Sequence, residues 1–179
     1  DMLARNEAGI TPLQTTLDAI AGIKDLNDLQ TVLFTIPAAS SPFFSLGVDA
    51  DYNDSSMNAP YLVQNGLGLP DRDYYLDQDA KSKEVREKYV EHTAKMLQLL
   101  GDDEATAKAS AEKILAMETQ LAEPRFTKVE RRDDRKSNNP RSIVQIQEMI
   151  PSLNIKKMIK DLGIEKPIDT IIVTEPKCF

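Results

Sequence analysis

Residues 60–76 read Pro60-Tyr61-Leu62-Val63-Gln64-Asn65-Gly66-Leu67-Gly68-Leu69-Pro70-Asp71-Arg72-Asp73-Tyr74-Tyr75-Leu76, with two glycines, two prolines, three charges and three tyrosines in one short connection. Glycine permits positive φ or close backbone approach, Pro70 fixes a turn, and Tyr74 and Tyr75 pack an apolar body while keeping a polar tip. Short helical segments and a hairpin precede the stretch, and two long helices follow it. It is therefore expected to set how two halves of one domain meet, with its tyrosines and Arg72 at least partly buried and their polar tips satisfied. Gly66 and Gly68 do not make a dinucleotide loop, because the third glycine of that pattern is replaced by Asp71 and no βαβ unit follows.

Upstream, Thr11-Pro12 reads as a capped helix start with Leu13, Leu17 and Ile20 on one face. A second helix from about Asn27 carries Leu29, Val32, Leu33 and Ile36, and Pro37 ends it. Phe44, Leu46 and Val48 alternate with Ser45, Gly47 and Asp49, the period of a half-buried strand. A second strand at Tyr61–Gln64 closes a hairpin through a polar link. Asp49, Asp51 and Asn53 begin like a calcium loop, but its glycine and glutamate positions hold Asp54 and Pro60, so the link reads as a plain connection. Asn53-Asp54-Ser55 is also a glycosylation sequon.

Downstream, residues 81–100 predict a helix with Val85, Tyr89, His92, Met96 and Leu99 or Leu100 along one stripe, stopped by Gly101. Asp102 and Asp103 restart a helix in which Ala105, Ala109 and Ala116 allow close approach while Ile114, Met117 and Leu121 supply bulk. Residues 123–136 carry six basic and four acidic residues and little apolar periodicity, an exposed or cavity-facing connector. Asn139-Pro140 reads as the cap of a helix bearing Ile143, Ile146 and Ile150. A further helix runs from about Ser152 to Leu162, ended by Gly163, and Thr170–Thr174 is a strand.

With 179 residues, 41% hydrophobic and 28% charged, the chain is expected to form one soluble domain over residues 1–179. No run approaches 18 apolar residues, so no transmembrane helix is expected. A net charge of −7 argues against a general nucleic-acid binder. The opening lacks an initiator Met and the end stops just after a strand, so the chain is read as a segment of something longer. Cys178 is alone and cannot form an internal disulfide. His92 is the one histidine, so neither an HExxH zinc helix nor the common structural zinc sites can be built from this sequence. On its apolar stripe His92 reads as a packed or satisfied histidine rather than a general base, with no pattern of a nucleophile and its base around it.

Gln64, Gly66, Gly68, Pro70, Arg72, Asp73, Tyr74 and Tyr75 spell a run that closely resembles the QxGLGLPxRDYY signature of the neprilysin family of zinc metallopeptidases. That family includes endothelin-converting enzymes and bacterial PepO-type endopeptidases. Asp51 with Ser55, Ser56 and Asn58 resembles the family's D-x-x-x-S-x-x-N connection. Asn139-Pro140 resembles its YNP-type element, with Asn138 in the tyrosine's place and the usual later tryptophan absent. The resemblance covers the whole chain but only the N-terminal part of the family.

The resemblance implies a mainly α lobe with a small β-hairpin and a short C-terminal strand, capping a separate catalytic lobe that is its partner. Zinc and the catalytic residues belong to that other lobe, where zinc polarises the scissile carbonyl of a peptide and activates water. This chain is then expected to hold no cofactor, to be inactive alone and to limit substrate size and access. Arg125, Arg131 and Arg132 are the candidates for lining the cavity. The resemblance also implies an extracytoplasmic setting, periplasmic or at the cell envelope. Loss of the partner lobe would leave a large apolar patch exposed and favour self-association. The alternative is a free-standing helical interaction module without peptidase activity.

Overall fold

The computed structural model describes residues 2–35 and 42–179. In chain order the helices are α1 (Met2–Ala8), α2 (Gln14–Ala21), α3 (Leu26–Thr35), α4 (Asp73–Leu76), α5 (Ala80–Leu99), α6 (Glu104–Ala122), α7 (Asp134–Ser137), α8 (Ile143–Met149) and α9 (Ile155–Asp161). The strands are β1 (Phe44–Ala50), β2 (Asn58–Gln64), β3 (Pro140–Ser142) and β4 (Thr170–Val173). The architecture is mainly α with a small sheet, as the sequence implied.

The hairpin and the C-terminal strand are not separate pieces, however. They share one sheet of order β1-β2-β4-β3. β1 and β2 pair antiparallel from Phe44↔Gln64 to Ala50↔Asn58. β4 lies parallel to β2, with Leu62 opposite Val173, and antiparallel to β3. As an inner strand β4 buries Ile171, Ile172 and Val173 and so reads as a continuous apolar run. Leu62, Ile171 and Val173 meet Leu33 and Phe34 of α3, Ile146 of α8, and Ile155 and Met158 of α9 in the main core. Ala59, Tyr61 and Ile172 form a smaller cluster.

Several local expectations change. Thr11 is not a cap: Thr11–Leu13 forms a 3₁₀ turn with no side-chain cap, and α2 begins at Gln14. In α3 the buried positions are Gln30, Leu33 and Phe34, while Ile36 and Pro37 lie outside the described residues. In β1 the alternation fades, because Phe44 is buried but Val48 is 69% exposed. Asn139-Pro140 does not start a helix: Pro140 opens β3, and Ser142 caps α8 in a capping box with Gln145. Proline is tolerated there because β3 is an edge strand.

The long hairpin of α5 and α6 also packs differently. Asp79 and Asp103 cap the two helices. Gly101 closes α5 in a Schellman pattern, with Gly101 N–H donating to Gln98 O at 3.0 Å and Asp102 N–H to Leu97 O at 3.2 Å. The face of α6 that packs is Ala107, Ala111, Glu118 and Ala122, whereas Ala105, Ala109 and Ala116 are exposed. The expected stripe on α5 runs out after Tyr89: His92 is exposed rather than packed, and Met96 and Leu99 are 50% and 70% exposed.

Candidate functional site

The connection from Gln64 to Leu76 passes between the sheet and the α5–α6 hairpin, and its side chains fasten one to the other. Gln64, buried at the end of β2, donates through Nε2 to Glu175 O at 2.7 Å and accepts at Oε1 from Thr174 Oγ1 at 3.2 Å. Gly66 has φ +86°, and a Cβ there would stand 1.5 Å from Pro42 O, so no other residue fits. Gly68 lies against Tyr89 of α5. Pro70 is exposed at the turn that follows.

Asp71 is buried and accepts the N–H of Asp73 at 2.9 Å. Lys128 Nζ bridges the carboxylates of Asp71 at 3.0 Å and Asp73 at 3.4 Å. Burial opposes ionisation of Asp71, but bonds from Lys128 and from Asp73 N–H outweigh it and hold the carboxyl below its ordinary range. Arg72 caps the end of α6, donating to Ala122 O at 3.4 Å and Glu123 O at 3.3 Å, where the helix dipole favours a cation. Tyr74 is half-buried, and its carbonyl accepts from Arg86 Nη1 at 2.6 Å.

Tyr75 is 3% exposed. Its Oη donates to Glu118 Oε2 at 2.6 Å and accepts from Leu69 N–H at 2.8 Å, while Tyr89 Oη donates to Glu118 Oε1 at 2.9 Å. Glu118 thus joins α4, α5 and α6 through both carboxylate oxygens. Burial first, then the bond to Glu118, pushes Tyr75 well above the phenol range and Tyr89 up to about 12.

The basic connector divides. Arg125 is half-buried, with Nη2 donating to Asn65 O and Nε without a partner among the described residues. Arg131 Nε lies 3.8 Å from Glu175 Oε1, and its Nη2 donates to Phe126 O at 3.4 Å. Glu175 Oε2 accepts Phe126 N–H at 2.6 Å, and Cys178 Sγ lies 3.9 Å from that same Oε2. Burial, then the charge of Glu175, pushes the Cys178 thiol up to about 12. Arg132 is exposed and belongs to a different hollow, with Val129, Asp133, Asp134 and Arg135. The structure therefore ties Arg125 to the connection at Asn65 and Arg131 to Glu175, and leaves Arg132 apart.

Glu118, Glu175 and Tyr89 organise this region, and none stood out in the sequence as a site residue. Glu118 had one signal, a lone acid on the Ala107–Ala111–Ala122 face, readable only once the phase of α6 is known. The residues do not fit a zinc site: the single histidine is exposed on α5, and among the described residues no three His, Cys, Asp or Glu side chains are grouped to hold a metal.

A mainly helical domain whose buried polar groups bind its own elements together is a scaffold. This scaffold belongs to peptidase family M13, a family of zinc metallopeptidases, whose N-terminal family model matches residues 1–179. Endothelin-converting enzyme 1 of Cavia porcellus is 36% identical over 116 residues, covering 64% of this chain and 15% of that protein. The open-state structure of zinc metalloprotease Zmp1 of Mycobacterium tuberculosis superposes with a TM-score of 0.88 at 30% identity, over 99% of this chain and 28% of that one. PepO of Lactobacillus rhamnosis shares the fold, with a TM-score of 0.80 at 21% identity over 95% of this chain and 27% of that one. The chain thus spans a small fraction of the length of the relatives it matches.

Proposed function

We propose that this chain is the helical lobe that faces and partly covers the catalytic lobe of a longer extracytoplasmic M13 metalloendopeptidase, limiting which peptides reach the zinc. The observation that supports this is the superposition of 99% of this chain on 28% of a zinc metalloprotease. By itself the chain is inert, and zinc and the groups that cleave the peptide belong to the other lobe. The clamp around Glu118 and Glu175 makes the lobe rigid, so that a surface rather than a mobile loop meets the substrate. Met96 and Leu99, exposed at the far end of α5, are apolar positions suited to contact with the partner lobe. Arg125 and Arg131 border the cavity, and Arg132 its rim.

The experiment compares the isolated chain with the full-length protein on a peptide ladder. The full-length protein hydrolyses peptides in a chelator-sensitive way and the chain alone does not. Charge reversal at Arg131 and Arg132 in the full-length protein raises KM and alters the preferred peptide length. Unchanged KM and length preference remove the arginines from the cavity, and chelator-sensitive hydrolysis by the isolated chain overturns the inert-lobe reading.

A further inference from the structure

β1 is an edge strand, and its pairing with β2 shows which of its backbone groups are unused. Asn65 N–H donates to Phe43 O at 2.9 Å and Asp51 N–H donates to Met57 O at 2.9 Å. In an antiparallel ladder these two bonds put the main-chain groups of residues 45, 47 and 49 toward β2 and those of residues 44, 46, 48 and 50 outward. Ala50 is already engaged, its N–H with Asp49 Oδ1 at 2.8 Å and its O with Tyr61 Oη at 2.6 Å. Leu46 and Val48 are left with outward N–H and C=O groups that have no partner among the described residues.

Long edge strands are commonly blunted by lysine, proline or a bulge. β1 has none of these: its register is unbroken from Phe44 to Ala50, and its one charge is Asp49 near the tip. Gly47 sits mid-strand, and a Cβ there would meet nothing within 4 Å, so no contact inside the described chain requires glycine. A strand glycine of that kind suits close approach by another backbone. At the tip end of the strand, Asp49, Asp51 and Asp54 carry three carboxylates with no ion pair among the described residues. Tyr52, 45% exposed and edge-on to Tyr61 at 5.5 Å, offers an aromatic surface beside them.

We propose that the β1 edge captures an extended peptide by strand addition. The peptide's main chain runs parallel to β1 and pairs with Leu46 and Val48, so that a basic residue at its C-terminal end lies against Asp49, Asp51 and Asp54. A polypeptide in extended form supplies the missing donors and acceptors, and the uncompensated acids select a cationic end over an acidic one. A second copy of this chain is less suited, because each copy carries a net charge of −7. The inference stands on the edge geometry and requires that the partner lobe leave the β1 edge open.

The test uses the full-length protein in the presence of a metal chelator, with fluorescence anisotropy of a labelled probe, acetyl-Thr-Val-Thr-Val-Thr-Lys-Lys-amide. Val48→Pro removes one outward N–H at an edge position where proline is tolerated, and Val48→Thr keeps it. Val48→Pro should weaken binding roughly fivefold to tenfold, the scale of one main-chain hydrogen bond, while Val48→Thr binds as the parent does. A probe N-methylated on the central Val and Thr loses binding with the protein untouched, and Asp49→Asn with Asp51→Asn reduces both the affinity and its salt dependence. Equal binding of the N-methylated probe, or equal binding by Val48→Pro with an unchanged CD spectrum, overturns the proposal. So does concentration-dependent dimerisation abolished by Val48→Pro, which assigns the edge to a second copy. These outcomes leave the lid reading intact, since that rests on KM and hydrolysis.

Discussion

A Cβ on Gly68 would stand 2.1 Å from the phenolic oxygen of Tyr89 and 2.7 Å from its Cζ. The connection therefore passes directly over a side chain of α5 whose oxygen is committed to Glu118. Gly68→Ala forces that ring to move and breaks its bond. We expect a loss of about 1–3 kcal/mol in urea unfolding, the usual cost of overpacking. The Gly68→Ala and Tyr89→Ala changes should be less than additive, because truncating Tyr89 removes the clash. Strict additivity would mean that the connection does not rest on Tyr89.

Glu118 holds two phenols, and each change at this knot strands a different group. Glu118→Ala leaves Tyr75 Oη, in a residue 3% exposed, without its acceptor, and should cost about 1–3 kcal/mol. Tyr75→Phe removes the donor and also leaves Leu69 N–H unpaired. Equilibrium unfolding of both single changes and the double change measures the coupling. A coupling near zero would show that the bond contributes nothing to the fold.

Alkaline pH tests the same knot. Burial and Glu118 raise Tyr75 and Tyr89, Tyr89 to about 12, and burial raises Tyr52 and Tyr61 in the same sense. A phenol whose folded pKa is raised contributes its stability in full below the unfolded value, about 10, and loses it as pH rises through the folded value. Stability should therefore fall between pH 10 and 12, followed by urea titration with absorbance at 295 nm. The Tyr75→Phe, Tyr89→Phe protein should show a shallower fall. An identical fall would place the sensitivity elsewhere.

Cys178 is half-buried with its thiol pushed up to about 12, so little thiolate exists at neutral pH. Reaction with a thiol reagent at pH 8 should be about a thousandfold slower in the native protein than in urea, where the thiol returns to about 8.5. Glu175→Gln removes the nearby negative charge and should speed the native reaction. Fast native labelling would show that the C-terminal turn opens readily.

What the sequence disclosed was local, and what it hid was the choice of partner. Gly101 marked the end of α5, and Asp102 and Asp103 the start of α6, because caps act within a few residues of themselves. The signature run marked the family outright. The sheet was not readable, since β2 and β4 meet as Tyr61↔Ile172 across more than a hundred residues. Pro140 carried an ambiguous signal, equally suited to a helix start and an edge strand. The stripe on α5 was extended too far because Met96 and Leu99 are apolar at helical spacing yet stay exposed among the described residues. Glu175 was invisible and Glu118 readable only with the phase of α6 in hand, as an acid accepting hydrogen bonds from distant phenols or backbone looks like any surface acid.

The alanines of α6 offer the sharpest check on that last lesson. Ala105 and Ala109 share one helical spacing and Ala107 and Ala111 share another, so the sequence alone permits either face to be the close-approach surface. In the structure Ala107 and Ala111 are 0% exposed while Ala105 and Ala109 face solvent. Ala109→Leu should therefore change stability by less than about 0.5 kcal/mol, as a surface substitution does. Ala111→Leu adds three carbons where none fits, and should cost about 1–3 kcal/mol through off-rotamer packing or separation of the helices. Thermal unfolding of the two variants side by side measures the contrast. If Ala109→Leu proved the more damaging, the packed face of α6 would be the one its alanine spacing first suggested, and Glu118 would lose its two phenols.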